Sequence, residues 1–110
     1  MIKSLSLLTR KPGLSKEAFR KVWVEEHAQL VLHVPQVRRY VLSFPLSEPR
    51  RPDIPTQEMA VDAVAELWFD DMAALQEAGA SAAMKRVTDN GALYLSAIKS
   101  FVTEEVSIIA

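Results

Sequence analysis

One histidine lies in the middle of an apolar helical pattern. The stretch VWVEEHAQL, residues 22–30, places His27 four residues after Trp23 and three before Leu30, on one side of the predicted helix. An imidazole titrates near neutral pH, so a histidine that borders a cavity can accept a proton from a substrate and return it. A histidine on an apolar face can equally be a core residue whose ring nitrogens are hydrogen-bonded. We take proton transfer as the working hypothesis for His27.

Two side chains on predicted strands could complete such a site. Tyr40 can donate a hydrogen bond to a carboxylate or enolate oxygen, and Glu66 can orient His27 or carry a proton itself. We therefore predict His27, Tyr40 and Glu66 as catalytic residues. The structural alternatives are that Tyr40 is a buried aromatic residue with a hydrogen-bonded hydroxyl, and that Glu66 is an interface carboxylate paired with an arginine.

A second group of side chains is suited to binding a substrate. An arginine can hold a carboxylate through two parallel hydrogen bonds, a tryptophan can wall an apolar pocket, and a small serine leaves room. Because Arg38 and Arg39 are adjacent on a strand, only one of them can face a given side of the sheet. The predicted substrate-binding residues are Ser6, Trp23, Arg38, Arg39, Asp53 and Trp68. Each also has an ordinary structural explanation, as a packing residue, a surface ion pair or part of an exposed loop.

The elements that must position these residues follow from periodicity and from the turn residues. We predict strands at residues 2–9, 37–44, 61–69 and 101–109, with a long irregular loop at 47–59. A first helix is predicted from an N-cap at Ser15 to a stop at Pro35. A second begins at Asp70 or Asp71, is broken and restarted at Gly79 and Ser81, is broken again at Asn90-Gly91, and is followed by a helical turn that contains Leu93, Tyr94 and Ile98.

The resulting order, β-α-β-β-α-β, predicts an α+β ferredoxin-like sandwich with a four-stranded antiparallel sheet and helices on one face. In the strand at residues 61–69, one face is wholly apolar and should pack on the helices. The other face mixes carboxylates with Val64 and Trp68, and such a surface needs a cover. We expect a second copy of the chain to cover it, giving a homodimer, or dimeric α+β barrel.

The composition excludes several classes of protein. The 110 residues, expected to form one domain over 1–110, include 13 basic and 14 acidic side chains, so no nucleic-acid surface is indicated. The chain has no cysteine, which excludes disulfides and thiolate chemistry. His27 and His33 lie about 120° apart around the helix and should not share a metal. No membrane span or signal peptide is indicated, so we expect a soluble cytoplasmic protein without a cofactor or metal.

The same residues resemble a known family. The stretches MIKSLSLLTRKPGLSKEAFRKVWVEEHAQL, RRY, VAELWF and FVTEE are similar to the EthD family of dimeric α+β barrels. The W-x-x-x-H helix and the A-E-L-W-F strand are the most specific of these, and the resemblance is weakest across residues 45–59 and 79–98. It implies a protomer that dimerises through its sheet, with the helix histidine lining a pocket between sheet and helices.

Within this family the pattern is also similar to the cofactor-independent methylmuconolactone methylisomerases. The resemblance matches the helix histidine of those enzymes to His27 and their strand tyrosine to Tyr40. The loop has Asp53 in place of a further histidine, and the first strand has Ser6 in place of an aromatic residue. Other family members are lyases that act on polyketide-derived rings, or accessory proteins of oxygenase systems.

These observations favour one function and leave two others open. We predict a cofactor-free isomerase or lyase that moves a proton on a small acidic ring compound, such as a (methyl)muconolactone in aromatic catabolism. The first alternative is a non-catalytic protein that holds a hydrophobic small molecule for an oxygenase system. The second is a haem-handling barrel with His27 as the axial ligand.

Overall fold

The computed structural model describes all 110 residues, in the element order β-α-β-β-α-β. The strands are β1 (Ile2–Arg10), β2 (Arg39–Ser43), β3 (Ala63–Phe69) and β4 (Leu95–Glu104). The helices are α1 (Lys16–Val22), α2 (Ala28–Val31), α3 (Met72–Gly79) and α4 (Ala82–Tyr94), and a π-helical turn, Trp23–His27, joins α1 to α2.

The four strands form one antiparallel sheet in the order β2-β3-β1-β4. The chain consists of two β-α-β halves, which begin with β1 and with β3. These two strands lie side by side in the centre of the sheet, which is the split β-α-β arrangement. The predicted ferredoxin-like α+β fold is therefore confirmed. No helix of the chain has both the length and the apolar character that a bilayer crossing requires.

Short polar side chains begin the helices as the sequence predicts. Ser15 accepts a hydrogen bond from the Ala18 amide at 3.0 Å, and Asp71, rather than Asp70, caps α3. Ser81 accepts from the Met84 amide at 3.1 Å and begins α4. Each cap satisfies a backbone N–H group that has no partner inside its helix.

The predictions for the C-terminal third are wrong in three respects. α4 continues through Asn90 and Gly91, because these residues pack against the first helical segment (α1, the π-helical turn and α2, residues 16–31) instead of forming a turn. Ile98 lies in β4 and not in a helical turn. The last strand spans 95–104 and not 101–109, because β4 pairs with β1 along its whole length and has no partner beyond Ile2 of that strand.

The irregular loop between β2 and β3 is confirmed, since residues 44–62 contain no helix or strand. It ends at Asp62, whose side chain accepts a hydrogen bond from the Arg10 amide at 2.8 Å and also pairs with the Arg10 guanidinium group. The carboxylate is almost fully buried. This contact attaches the end of the loop to the end of β1.

The helices pack on one face of the sheet through two apolar clusters. The first consists of Leu8, Phe19, Trp23, Ala63 and Ala65. The second consists of Val31, Val34, Phe69, Ala78 and Val87. The first helical segment contributes Trp23 to one cluster and Val31 to the other, and His27 lies midway between these two residues in the chain.

The opposite face, which we call the open sheet face, carries no helix. Strand pairing places Leu5 opposite both Glu66 and Phe101, and Leu7 opposite Val64. Phe101 is 45% exposed. The face also contains charged groups, including a Lys3–Glu66 ion pair at 2.9 Å. It is the mixed apolar surface that the sequence predicts.

Candidate active site

A cavity of about 610 Å³ lies between the sheet and the helices. Of its 23 lining residues, 15 are hydrophobic, and none is an aspartate, glutamate, lysine or arginine. The polar groups that line it are those of Ser4, Ser6, His27, Tyr40, Thr88, Ser96 and Ser100. The cavity therefore offers hydroxyl groups and one imidazole to a ligand with a largely apolar surface.

His27 lines this cavity and is only 6% exposed. Its ring stacks on the indole of Trp23, with 3.7 Å between the ring centroids and 19° between the planes. On α4, a Cβ added to Gly91 would lie 3.3 Å from His27 Cε1. His27 Nδ1 lies 2.9 Å from Asn90 Oδ1. The ring is thus held by one stack, one close backbone approach and one hydrogen bond.

Burial lowers the pKa of His27 below its ordinary value, and this effect outweighs the opposing effects of the Asn90 hydrogen bond and the Glu26 charge. The imidazole is therefore neutral at neutral pH. A neutral imidazole has one nitrogen that can accept a proton, which a base requires.

Behind Asn90 lies a polar cluster that the sequence analysis missed. Asn90 Nδ2 donates to Glu26 Oε2 at 2.8 Å, and the Tyr94 hydroxyl donates to the same oxygen at 2.6 Å. Both hydrogen bonds lower the pKa of the Glu26 carboxyl, and the one from Tyr94 has the larger effect. A glycine inside a helical pattern often has a packing reason, so Gly91 was the one signal in the sequence for this contact.

Tyr40 lies on the helix-facing side of β2 and lines the cavity. Burial raises the pKa of Tyr40 to about 12, so its hydroxyl remains protonated. This hydroxyl makes no hydrogen bond within the chain and can donate to a ligand. Ser6 and Trp23 also line the cavity, and Ser6 Oγ lies 2.7 Å from Ser100 Oγ. The structure therefore brings together four of the predicted site residues, namely Ser6, Trp23, His27 and Tyr40.

Glu66, in contrast, lies on the open sheet face, so the prediction that it adjoins His27 is wrong. Successive side chains of a strand point to opposite faces, and Ala65 faces the helices. Trp68 shares the face of Glu66, where its ring lies 4.7 Å from the Arg39 guanidinium carbon and its Nε1 donates to Glu105 at 2.6 Å.

The remaining predicted substrate-binding residues also lie outside the cavity. Arg38 is exposed and pairs with Asp70 at 3.0 Å, and Arg39 lies against Trp68. Neither arginine lines the cavity. Asp53 is exposed in the loop and pairs with Arg51 at 2.6 Å. No group of three or more histidine or acidic side chains gathers into a metal-binding arrangement.

Comparison with known proteins identifies the class of the chain. Residues 11–94 match the EthD domain. A 4-carboxymethyl-4-methylbutenolide mutase of Pseudomonas reinekei is 30% identical over 107 residues, an alignment that covers 96% of this chain and 99% of that protein. The chain belongs to the EthD family, and its predicted membership is confirmed.

Solved structures agree with the fold. The crystal structure of an EthD family protein from Bacillus halodurans superposes with a TM-score of 0.78 at 21% identity, covering 96% of this chain and 99% of that one. A dimeric protein with a ferredoxin-like fold from Bacteroides fragilis superposes with a TM-score of 0.66 at 10% identity, covering 94% and 95%. At these identities the likeness shows the shared fold.

The first prediction concerns the contact between Gly91 and the ring of His27. Glycine-to-alanine substitution in a helix commonly stabilises by about 0.5–1 kcal/mol. We expect Gly79→Ala, which meets no atom within 4 Å, to show this gain. Gly91→Ala should instead lower the free energy of unfolding. Its Cβ would lie 3.3 Å from His27 Cε1, and the ring is held against moving away by the Trp23 stack and the Asn90 hydrogen bond. Denaturant unfolding of both variants checks this, and an equal gain at the two sites would contradict it.

The second prediction concerns pH. Folding lowers the pKa of His27 below its ordinary value of 6.5. Below about pH 6.5 the unfolded state therefore binds a proton at this residue more readily than the folded state does. Stability should therefore be lost as the pH falls from about 6.5 through the lowered folded-state value. Unfolding measured between pH 5 and 8 should show this loss in the native protein and in His33→Gln, where the other, exposed histidine is replaced. A His27→Gln variant that kept the same loss would rule out His27 as its source.

Proposed function

We propose that this EthD family protein is a cofactor-free isomerase that moves a proton on a small lactone ring, such as a (methyl)muconolactone in aromatic catabolism. The observation that carries the proposal is a neutral imidazole in a cavity that a protonated tyrosine also lines. The 30% identity to a butenolide mutase over nearly the whole chain supports a lactone isomerase-like role.

The proposed chemistry uses two side chains. His27 accepts a proton from a carbon next to the lactone carbonyl, and the electron pair of the broken C–H bond moves onto the carbonyl oxygen. The Tyr40 hydroxyl donates a hydrogen bond to the resulting enolate oxygen, which it can do because its pKa is raised by burial. The imidazolium then returns the proton to a different carbon, so that the product is an isomer of the substrate.

The lining of the cavity affects how an acidic substrate would bind. Because no lysine or arginine lines it, a substrate carboxylate could be held by hydroxyl groups such as those of Ser6 and Ser100. The volume of about 610 Å³ is within the usual range for small-molecule sites. The predicted roles of Arg38, Arg39 and Asp53 in binding are not supported by their positions.

The protein is also proposed to act as a homodimer through the open sheet face. The face combines apolar side chains with charged ones such as Lys3 and Glu66, and a monomer would leave its apolar part in water. The ferredoxin-like neighbour from Bacteroides fragilis is dimeric. In this arrangement the cavity and the interface lie on opposite faces of the same sheet. The single-domain organisation and the cytoplasmic location stay predictions.

A second candidate function is ligand binding without turnover. It is favoured by the same apolar lining, since 15 of 23 lining residues are hydrophobic. Such a protein would retain a small aromatic or lactone ligand for an oxygenase system. His27 would then contribute to affinity but not to any reaction rate.

The third prediction tests catalysis. The native protein is expected to isomerise methylmuconolactones, and His27→Gln should lower kcat by about 10²–10⁴-fold, the usual range for a general base. Tyr40→Phe should lower kcat by a smaller factor. Turnover in D₂O should place deuterium in the product of the native protein wherever the imidazolium exchanges its proton with solvent before returning it. The control is His33→Gln, which should behave as native.

If folded His27→Gln isomerised the substrate at the native rate, His27 would not be the base. If the native protein bound these lactones but neither converted them nor exchanged their protons, the binding function would replace the catalytic one.

The fourth prediction tests the dimer. Val64→Lys places a charge in the open sheet face, where the folded monomer can expose it to water. We expect the native protein to sediment as a dimer at micromolar concentration and Val64→Lys to sediment as a monomer. Val24→Lys, on the exposed surface of the first helical segment, should remain dimeric. A dimer that survives Val64→Lys would place the interface elsewhere.

A further inference from the structure

We propose that Asn90 is a positioning residue that fixes the tautomer of His27, with the proton on Nδ1 and the free electron pair on Nε2. The inference rests on the proposed function for its catalytic consequence, but the tautomer itself can be observed without substrate. It assigns a role to Asn90, Glu26 and Tyr94. None of these three residues takes or gives a proton in the proposed reaction.

The first step of the argument is the orientation of the Asn90 amide. Its two ends differ, because the nitrogen only donates hydrogen bonds and the oxygen only accepts them. Glu26 Oε2 lies 2.8 Å from Asn90 Nδ2, and an ionised carboxylate can only accept. The amide nitrogen must therefore face Glu26, which leaves Asn90 Oδ1 facing His27.

The second step concerns the carboxylate that sets this orientation. The Tyr94 hydroxyl donates to Glu26 Oε2 at 2.6 Å, so the same oxygen receives two hydrogen bonds from α4. Both bonds favour the charged form of the carboxyl group. Glu26 is adjacent to His27 in the π-helical turn, so one short segment supplies the orienting anion and the ring that is oriented.

The third step follows from the oxygen that His27 meets. Because Asn90 Oδ1 can only accept, the Nδ1 atom of a neutral His27 must carry the proton to bond across the 2.9 Å between them. The other nitrogen, Nε2, then has the electron pair. It makes no hydrogen bond within the chain, and the fully buried polar side-chain atoms without partners are confined to Trp23 and Gln36. Nε2 is therefore not fully buried, and we infer that it faces the cavity that His27 lines.

The fourth step is that the imidazole ring cannot easily flip by 180°. A rotation of the imidazole by 180° would replace Nδ1 with a carbon opposite Asn90 and break the hydrogen bond. Trp23 stacks on the ring at 3.7 Å, and Gly91 approaches its Cε1 atom. A neutral imidazole without Asn90 would exchange between its two tautomers, and the form protonated on Nε2 cannot accept a proton at that atom.

The test begins with the native protein carrying ¹⁵N-labelled histidine, studied by two-dimensional NMR at a pH above 7.5. The chemical shifts of the two ring nitrogens distinguish a protonated from an unprotonated nitrogen. We expect His27 to show a protonated Nδ1 and an unprotonated Nε2. A His27 that is protonated on Nε2 would overturn the proposal, whatever the protein does to a lactone.

The variants separate positioning from simple packing. Asn90→Leu keeps the size of the side chain but removes the acceptor, so we expect a mixture of tautomers. We also expect a kcat about 10- to 100-fold lower, the range seen when the outer hydrogen-bond partner of a metal-ligating histidine is lost. KM should change little. The matched control is Asp89→Leu, the neighbouring exposed position, which should leave both the tautomer and kcat as in the native protein.

Two further variants keep the proposal testable if Asn90→Leu fails to fold. Glu26→Gln presents both a donor and an acceptor to Asn90, so the amide can reverse and the tautomers should mix. Asn90→Asp keeps an acceptor opposite Nδ1, so it should keep the proton on Nδ1. Its other carboxyl oxygen would share one proton with Glu26, because two carboxylates at about 2.8 Å do not both ionise. A native tautomer and native kcat in folded Asn90→Leu or Glu26→Gln would show that the amide has no positioning role.

If lactone turnover proves independent of His27 while the tautomer depends on Asn90, the proposed function fails and the positioning of the ring stands.

Discussion

The ring of His27 is packed between the indole of Trp23 and the backbone of α4 at Gly91, and the geometry of the candidate site depends on this contact. It buries the imidazole, which lowers its pKa and keeps it neutral. It also brings Asn90 within hydrogen-bond distance of Nδ1. A side chain at Gly91 would require the imidazole to shift by a few tenths of an ångström. The π-helical turn that contains both rings is a further part of the arrangement, since such turns are frequent at functional sites.

Much of the fold could be predicted because local signals and burial agree. The alternation in residues 61–69 indicates a strand with one wholly apolar face, and Ser15, Asp71 and Ser81 are helix caps by residue type. The errors occur where tertiary packing overrides local preference. Asn90-Gly91 is a common turn pair, yet here it continues a helix. Gly91 lets the backbone of α4 approach the ring of His27, and the Asn90 amide lies within hydrogen-bond distance of the same ring. The extent of β4 is set by its pairing with β1, which no local pattern shows.

The site was predictable to the extent that it lies on strongly patterned elements. His27 and Trp23 share a helical stripe, and Tyr40 and Ser6 lie on the helix-facing side of the sheet. The alternation of β3 already separates Glu66 from Ala65, so a carboxylate next to His27 was inconsistent with helices packed on the apolar face. The residue that lies within hydrogen-bond distance of the imidazole is 63 positions away in sequence and is a neutral amide. Neither spacing nor charge identifies such a partner.

The pleat of β1 divides its side chains between two tasks. Ser4 and Ser6 line the cavity, whereas Leu5 and Leu7 lie on the face proposed for dimerisation. Substitutions at the even-numbered positions can therefore reshape the cavity while the odd-numbered positions keep the open sheet face unchanged. A strand built in this way lets ligand preference diverge during evolution without altering the proposed dimer interface.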